Sequence, residues 1–155
     1  MRTSTAALAI VATSLLLSGC VRDDEKSALK PSEHTDVPGE RIDEVLDVGD
    51  RVFYAYDSAI ISTEGQSVLR RAADWLAKHP TVKITIEGHA DERGTREYDL
   101  ALGDRRAIAV KRTLVASGVG ADRLSTVSYG KERPAVVGSS EAVWSQNRRA
   151  VMVMN

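Results

Sequence analysis

Residues 88–107 read GHADERGTREYDLALGDRRA, and nine of these twenty side chains carry a formal charge. Carboxylates at Asp91 and Glu92 alternate with guanidiniums at Arg93, Arg96, Arg105 and Arg106. A guanidinium is planar and can donate two parallel N–H bonds to a carboxylate, and a carboxylate can accept from an ammonium. Groups of both kinds, gathered in one stretch, suit a ligand that itself carries both charges. The plainer reading is a solvated loop and helix face, with exposed ion pairs worth only ~0–1 kcal/mol each.

Other chemistries find less support. A metal site needs several ligands at short spacing, and the three histidines, His34, His79 and His89, are scattered. His89, despite Asp91 and Glu92 nearby, reads as a packed or hydrogen-bonded residue at a strand end. Nucleophilic catalysis has no G-x-S-x-G, and the single cysteine is Cys20. Asp57, Asp91 and Glu92 could imitate a carboxylate pair, but neighbouring arginines would keep all three ionised. No cofactor is implied. Nucleic acid is a poor match as well, because no basic stripe with interleaved aromatics appears.

The charged stretch needs a scaffold, and the periodicity supplies one. Arg51 to Tyr56 is aromatic and β-branched, the pattern of a strand. Residues 63–79 carry Val68, Leu69, Ala72, Ala73 and Leu76 on one helical face, with Pro80 as the stop. Val82, Ile84 and Ile86 alternate with Lys83, Thr85 and Glu87, a strand with one wet face. Leu100, Gly103, Ala107, Val110 and Leu114 make a core stripe for a second helix over about 95–117. Arg106 is expected on a flank of that stripe. Leu124 to Tyr129 is a third strand and Glu141 to Ser145 a short helical turn. The last strand, Arg149 to Met154, is apolar on both faces and therefore belongs inside the sheet. The order β-α-β-α-β-(α)-β predicts an α+β, two-layer sandwich with helices packed on a mixed sheet.

The N-terminus is of another kind. Arg2 precedes an uncharged apolar run, Ala6 to Leu17, too short for a permanent span of roughly 20 residues. It is followed by Leu17-Ser18-Gly19-Cys20, which resembles a bacterial lipobox. Residues 1–19 are expected to be a lipoprotein signal peptide and Cys20 the lipidated first residue. A lone thiol in an oxidising compartment is otherwise a liability. Residues 20–49 read as a flexible tether. From Val21 to Asp47 nine acids face four bases, a net of −5, with Pro31, Pro38 and Gly39 as punctuation. From Val48 onward sixteen bases face thirteen acids, a net of +3. A mildly cationic exported domain suits an anionic envelope polymer.

GHADERGTREY, LGDRRAIAVKRTL, VSYGKERPAV and WSQNRRAV together resemble the OmpA-like C-terminal domain family over residues 50–155, and the lipobox and tether match the layout of its lipid-anchored members. That resemblance implies non-covalent binding of peptidoglycan through the diaminopimelate residue of the stem peptide, without catalysis. It also implies a domain facing the periplasm, hung from the outer membrane by its lipid, since Val21 stands where an inner-membrane retention Asp would be. Service in envelope integrity and cell division as part of the Tol system follows, with the periplasmic β-propeller protein TolB as a partner competing for the same surface. The family's motif assigns Asp91 to the ligand ammonium and Arg106 to its carboxylate. Tyr54 and Asp57 match aromatic and acidic family positions that border the pocket; Glu92, Arg93, Asn147 and Arg148 match motif positions too, as ligand-binding residues or equally as surface salt-bridge partners. Asp99 departs from the family, which usually has Asn there. A carboxylate only accepts, whereas an amide also donates, so Asp99→Asn is expected to tighten binding or raise the melting temperature. A lipoprotein that recruits only proteins is the alternative, and it leaves Asp91 and Arg106 without a task.

Overall fold

The last strand holds the sheet together. In the computed structural model, which describes residues 49–155, β4 (Arg149–Met154) lies between β1 (Arg51–Phe53) and β2 (Ile84–His89) and runs antiparallel to both. β3 (Leu124–Gly130) completes the order β1-β4-β2-β3 by pairing parallel to β2. Ala150, Val151, Met152 and Met154 are all buried, so β4 is the interior strand that its two apolar faces announced. The signal peptide, Cys20 and the tether lie outside the described residues.

Three helices pack on this mixed sheet: α1 (Thr63–Lys78), α2 (Arg96–Ala116) and α3 (Glu141–Asn147). Ser62 caps α1, its Oγ accepting from Gly65 N at 3.1 Å. Leu69, Ala72, Ala73 and Leu76 turn inward against Val52, Ile84, Ile86 and Met152. Burying a large aliphatic side chain of this kind contributes about 1.5–3 kcal/mol. At the other end of α1, Arg123 donates to the carbonyls of Leu76 (3.1 Å), His79 (2.7 Å) and Val82 (2.8 Å), which satisfies acceptors that a helix end leaves open.

Two details depart from the periodicity. β1 stops at Phe53, three residues short of Tyr56, because residues 54–58 bend away to reach α2. The buried stripe on α2 begins with Asp99 and Leu102, not Leu100, and it includes Arg106. The first turn of α2 lies against Gly130 backbone-on; a Cβ on Gly130 would sit 2.9 Å from Leu100 N. Leu100 is therefore only partly buried. Further along, Gly88 of β2 and Gly103 of α2 are in backbone contact. A Cβ on Gly103 would approach Gly88 O to 2.8 Å, and one on Gly88 would overlap Gly103 O. This close approach of helix and strand places Arg106, one turn on, beside the end of β2.

Candidate functional site

A small pocket opens where the loops after β1 and β2 meet the start of α2. Asp57, Asp91, Asp99 and Arg106 supply its charge, and Tyr56 and Leu102 part of its apolar wall. Of the charges in residues 88–107, Asp91, Asp99 and Arg106 converge on this concavity, whereas Arg96, Glu97, Asp104 and Arg105 lie on the exposed face.

Arg106 is the floor of the pocket. It is fully buried, at 0% exposure, so the expected flank position is corrected: the side chain runs inward between the layers. Its Nε donates to Ser58 O at 2.8 Å, Nη1 to His89 O at 2.7 Å and Nη2 to Ala55 O at 3.2 Å. A guanidinium has five N–H groups, so one remains on each terminal nitrogen. Burial pushes its pKa down to about 10, which leaves it charged at neutral pH. Tyr54 lies beneath it, with its hydroxyl donating to Arg106 O at 3.1 Å and its ring 5.1 Å from the guanidinium carbon. Tyr54 supports the pocket from below and does not line it.

Asp91 sits at the start of the β2–α2 loop and is 6% exposed. It pairs with Arg93 and Arg148, not with Arg106. Oδ1 accepts from the Arg93 backbone N–H and Nε, both at 3.2 Å; Oδ2 accepts from Arg93 Nη2 at 2.6 Å and Arg148 Nη1 at 3.4 Å. Burial opposes the charge, but the Arg93 hydrogen bonds, with Arg148 behind them, outweigh it and hold the Asp91 carboxyl below the usual range.

Arg93 is wedged between two aromatic rings, its guanidinium carbon 4.1 Å from the centroids of both Tyr56 and Trp144. Glu92 points away from the pocket and accepts from the Trp144 indole at 2.9 Å. Arg148 is a buried connector: Nε donates to Tyr54 O at 3.0 Å and Nη2 to Glu141 at 2.6 Å. Asn147 lies outside the pocket. Its amide accepts from Ala135 N (2.7 Å) and Val136 N (3.1 Å) and donates to Val136 O (2.8 Å), pinning the loop before α3. Asp57 does line the pocket; it accepts from the Tyr98 hydroxyl and takes φ 50°, a left-handed conformation that Asp tolerates better than most residues.

His89 is 2% exposed, and neither ring nitrogen has a partner within hydrogen-bond distance; the Glu87 carboxylate stands 3.6 Å from Nε2. Burial, with Arg149 adding to it, lowers its pKa despite Glu87. It serves the site through its carbonyl, not its ring. Among the described residues no group of three His, Cys, Asp or Glu side chains could hold a metal ion.

Sequence reasoning passed over Lys131. Its ammonium donates to the carbonyls of Gly94 and Glu92 and pairs with Asp99 at 3.5 Å, tying the β2–α2 loop to the end of β3. The GKERP segment contained it, but nothing in the spacing pointed to residue 94. Glu141 and Trp144 were likewise read only as parts of a helical turn.

Comparison with known proteins settles the lineage. A family model, that of the OmpA family, matches residues 53–148. The chain belongs to the OmpA family. It is 48% identical over 151 residues to the peptidoglycan-associated lipoprotein of Rhizobium meliloti, an alignment covering 95% of this chain and 85% of that one. Identity to the peptidoglycan-associated lipoprotein of Brucella melitensis is 52% over 118 residues, or 76% of this chain and 70% of that one. Among solved structures, the peptidoglycan-associated lipoprotein of Burkholderia pseudomallei superposes with a TM-score of 0.67 at 45% identity, covering 68% of this chain and 90% of the other. The C-terminal domain of Helicobacter pylori MotB gives 0.63 at 26% identity, covering 67% and 81%. Within this OmpA-family domain, the matched residues run from Phe53 at the end of β1 to Arg148, so they span every element that contributes to the pocket.

Proposed function

We propose that this chain is a lipid-anchored outer-membrane protein whose periplasmic domain, residues 50–155, binds peptidoglycan non-covalently through the diaminopimelate residue of the stem peptide. Diaminopimelate ends in a carbon bearing both an ammonium and a carboxylate. The observation that carries the reading is the Arg106 guanidinium with two uncommitted N–H groups in a pocket that also holds three carboxylates, Asp57, Asp91 and Asp99. Arg106 takes the ligand carboxylate and the acidic side takes the ammonium. Tyr54, Glu92, Arg93, Asn147 and Arg148 hold the loops that shape the pocket. The domain works by binding alone, without catalysis.

Residues 1–19 are the signal peptide, Cys20 carries the lipid, and residues 20–49 form the tether. Several acyl chains, at ~0.8 kcal/mol per buried CH₂, give a stable anchor where one would be marginal. In this reading the protein links outer membrane to cell wall within the Tol–Pal system, and TolB competes with peptidoglycan for the rim of the pocket.

Calorimetric titration with a stem peptide ending in diaminopimelate, beside its lysine counterpart, tests the ligand. The lysine peptide lacks the terminal carboxylate, and loss of that partner should weaken binding by ~2–5 kcal/mol. Equal affinity for the two peptides, or no binding of either by the folded protein, would overturn the assignment.

A further inference from the structure

Strand alternation gives the sheet two faces. Val52, Ile84, Ile86 and Met152 point toward the helices and join Leu69 and Leu114 in the core. Phe53, Val151 and Val153 point the other way, Phe53 from the edge strand β1 and the two valines from β4 beside it. The upper part of this second face is closed by the loop after β3. There the Arg133 guanidinium lies 3.8 Å from the Tyr129 ring centroid, and Arg133 O accepts from Arg149 Nη2 at 3.2 Å. Lower down the face is open. α1 and α2 both pack on the opposite side, so neither shelters Phe53, which is 50% exposed, or Val153, which is partly exposed. Glu87 bounds the apolar patch on the β2 side, and Arg51 and Lys83 flank it with positive charge.

The chain that enters β1 has matching properties. Residues 40–48 read ERIDEVLDV and hold four large aliphatic side chains, against three in the nineteen residues before them. Ile42, Val45 and Leu46 follow the i, i+3, i+4 rhythm of one helical face, and Asp43, Glu44 and Asp47 fall on the other. Pro38-Gly39 and Gly49 bound the segment as helix punctuation. Four acids and one base give it a net charge of −3, opposite to that of Arg51 and Lys83. So short a helix is not stable alone in water, and its apolar stripe gains only if something buries it. Its end is fixed in place, because Asp50 O accepts from Met152 N at 2.9 Å and so pins the entering chain at the edge of the sheet. A nine-residue helix is about 13 Å long, enough to cross β1 and β4, which lie about 5 Å apart.

We propose that residues 40–48 dock on the open face of the sheet as a short amphipathic helix, a latch built into the tether. Ile42, Val45 and Leu46 cover Phe53, Val151 and Val153, and the acids face outward toward Arg51, Lys83 and water. When docked, the latch removes about 30 Å of extended chain from the span between Cys20 and the domain. When it opens, that reach returns. The latch is independent of what occupies the pocket.

The test is limited proteolysis of the full mature chain by a glutamate-specific protease, with Cys20→Ser to keep the chain free of lipid and detergent. The bond after Glu44 lies inside the latch, and the bond after Glu33 lies in the chain before it. Each cleavage rate is divided by that of the same bond in a free peptide of residues 28–50. Cleavage after Glu44 should be at least tenfold slower in the protein than in the peptide, and cleavage after Glu33 within twofold. Phe53→Asp, which charges the face and leaves the backbone pairing of β1 in place, should bring Glu44 cleavage to within twofold of the peptide. Leu46→Asp, set against a peptide with the same change, should do likewise, and it carries the test alone should the Phe53 variant not fold. Unprotected Glu44 in wild type would overturn the proposal. Protection that survives these substitutions would overturn it too, by placing the segment elsewhere on the domain. Protection that rises with protein concentration, matched by dimers in sedimentation velocity, would give the face to a second copy of the chain and overturn the latch.

Discussion

Arg106 donates from Nη1 to the carbonyl of His89 at 2.7 Å, joining the middle of α2 to the last residue of β2. Through Nε and Nη2 the same side chain also holds Ser58 and Ala55 of the loop after β1. The residue to which we assign the ligand carboxylate is therefore also the bolt through three segments of the domain. Arg106→Ala should lower unfolding free energy by at least about 3 kcal/mol, since three carbonyls lose their donor at ~1–3 kcal/mol each. Urea denaturation reads this directly. A loss below about 1 kcal/mol would mean that water replaces the guanidinium and that its role is confined to the ligand.

Gly103→Ala tests the contact between α2 and β2. A methyl group there would meet Gly88 O at 2.8 Å and overlap Ser128 Oγ, so the helix must lift from the strand. Although alanine favours helix by about 1 kcal/mol over glycine, the overpacking should cost about 1–3 kcal/mol. The expected net result is destabilisation by thermal melting, with weakened ligand binding because Arg106 moves too. A gain in melting temperature would contradict the close approach.

Asp99 and pH provide a signed prediction. Burial raises its carboxyl above 3.8 more than Lys131 lowers it, so the folded state holds the proton better than the unfolded chain. The penalty of the buried charge is then fully present above the folded pKa, shrinks as pH falls through that value, and is gone below 3.8. Asp99→Asn should raise the melting temperature at neutral pH, and its advantage should vanish near the unfolded value. An advantage independent of pH would show that charge burial is not its source.

His89 carries the opposite sign in another window. Burial depresses its folded pKa below 6.5, so the unfolded chain takes up a proton first. Stability contributed by the neutral ring is present above 6.5 and is lost as pH falls below it, by at most about 1.4 kcal/mol per pH unit for one proton. Replacing His89 with Leu should flatten the stability profile between about pH 7 and 5. An unchanged slope would place the titration elsewhere.

Arg93 between Tyr56 and Trp144 offers an optical readout. In a Trp75→Phe background, Trp144 is the sole indole. Arg93→Ala should shift its emission to longer wavelength as water replaces the guanidinium, and should loosen the β2–α2 loop by removing the two side-chain hydrogen bonds among the four that Asp91 accepts. Unchanged emission would show that the stacked arrangement is not populated in solution.

Much of this was legible before any coordinates. The period of two in residues 82–87 and the 3–4 spacing along α2 located the sheet and its helices, because burial on one face imposes those rhythms. The double apolar face of β4 even gave its interior place. What could not be read was the partner of each charge. Asp91 and Arg106 stand fifteen positions apart in one motif, yet the first is shared between Arg93, two residues on, and Arg148, 57 residues on, and the second binds carbonyls 48 and 51 residues back. Backbone acceptors leave no mark on residue type. Asn147 illustrates the same blindness: its motif position suggested the pocket, whereas its amide is consumed by two backbone N–H groups and a carbonyl of a nearby loop.

The shortness of β1 has a mechanical meaning. The chain reaches the domain at Asp50, and only three residues later it arrives at the loop that Arg106 holds. A pull on the chain at its N-terminal side, resisted by a ligand in the pocket, would run lengthwise along β1 and stress its three pairs with β4 in shear, so that they resist together and do not open one by one. Arg148 adds a fourth rung, its backbone carbonyl accepting from Tyr54 N at 2.9 Å and its guanidinium donating to Tyr54 O at 3.0 Å. One side chain thus lengthens, by one rung, the short run of pairs that would carry such a load in shear.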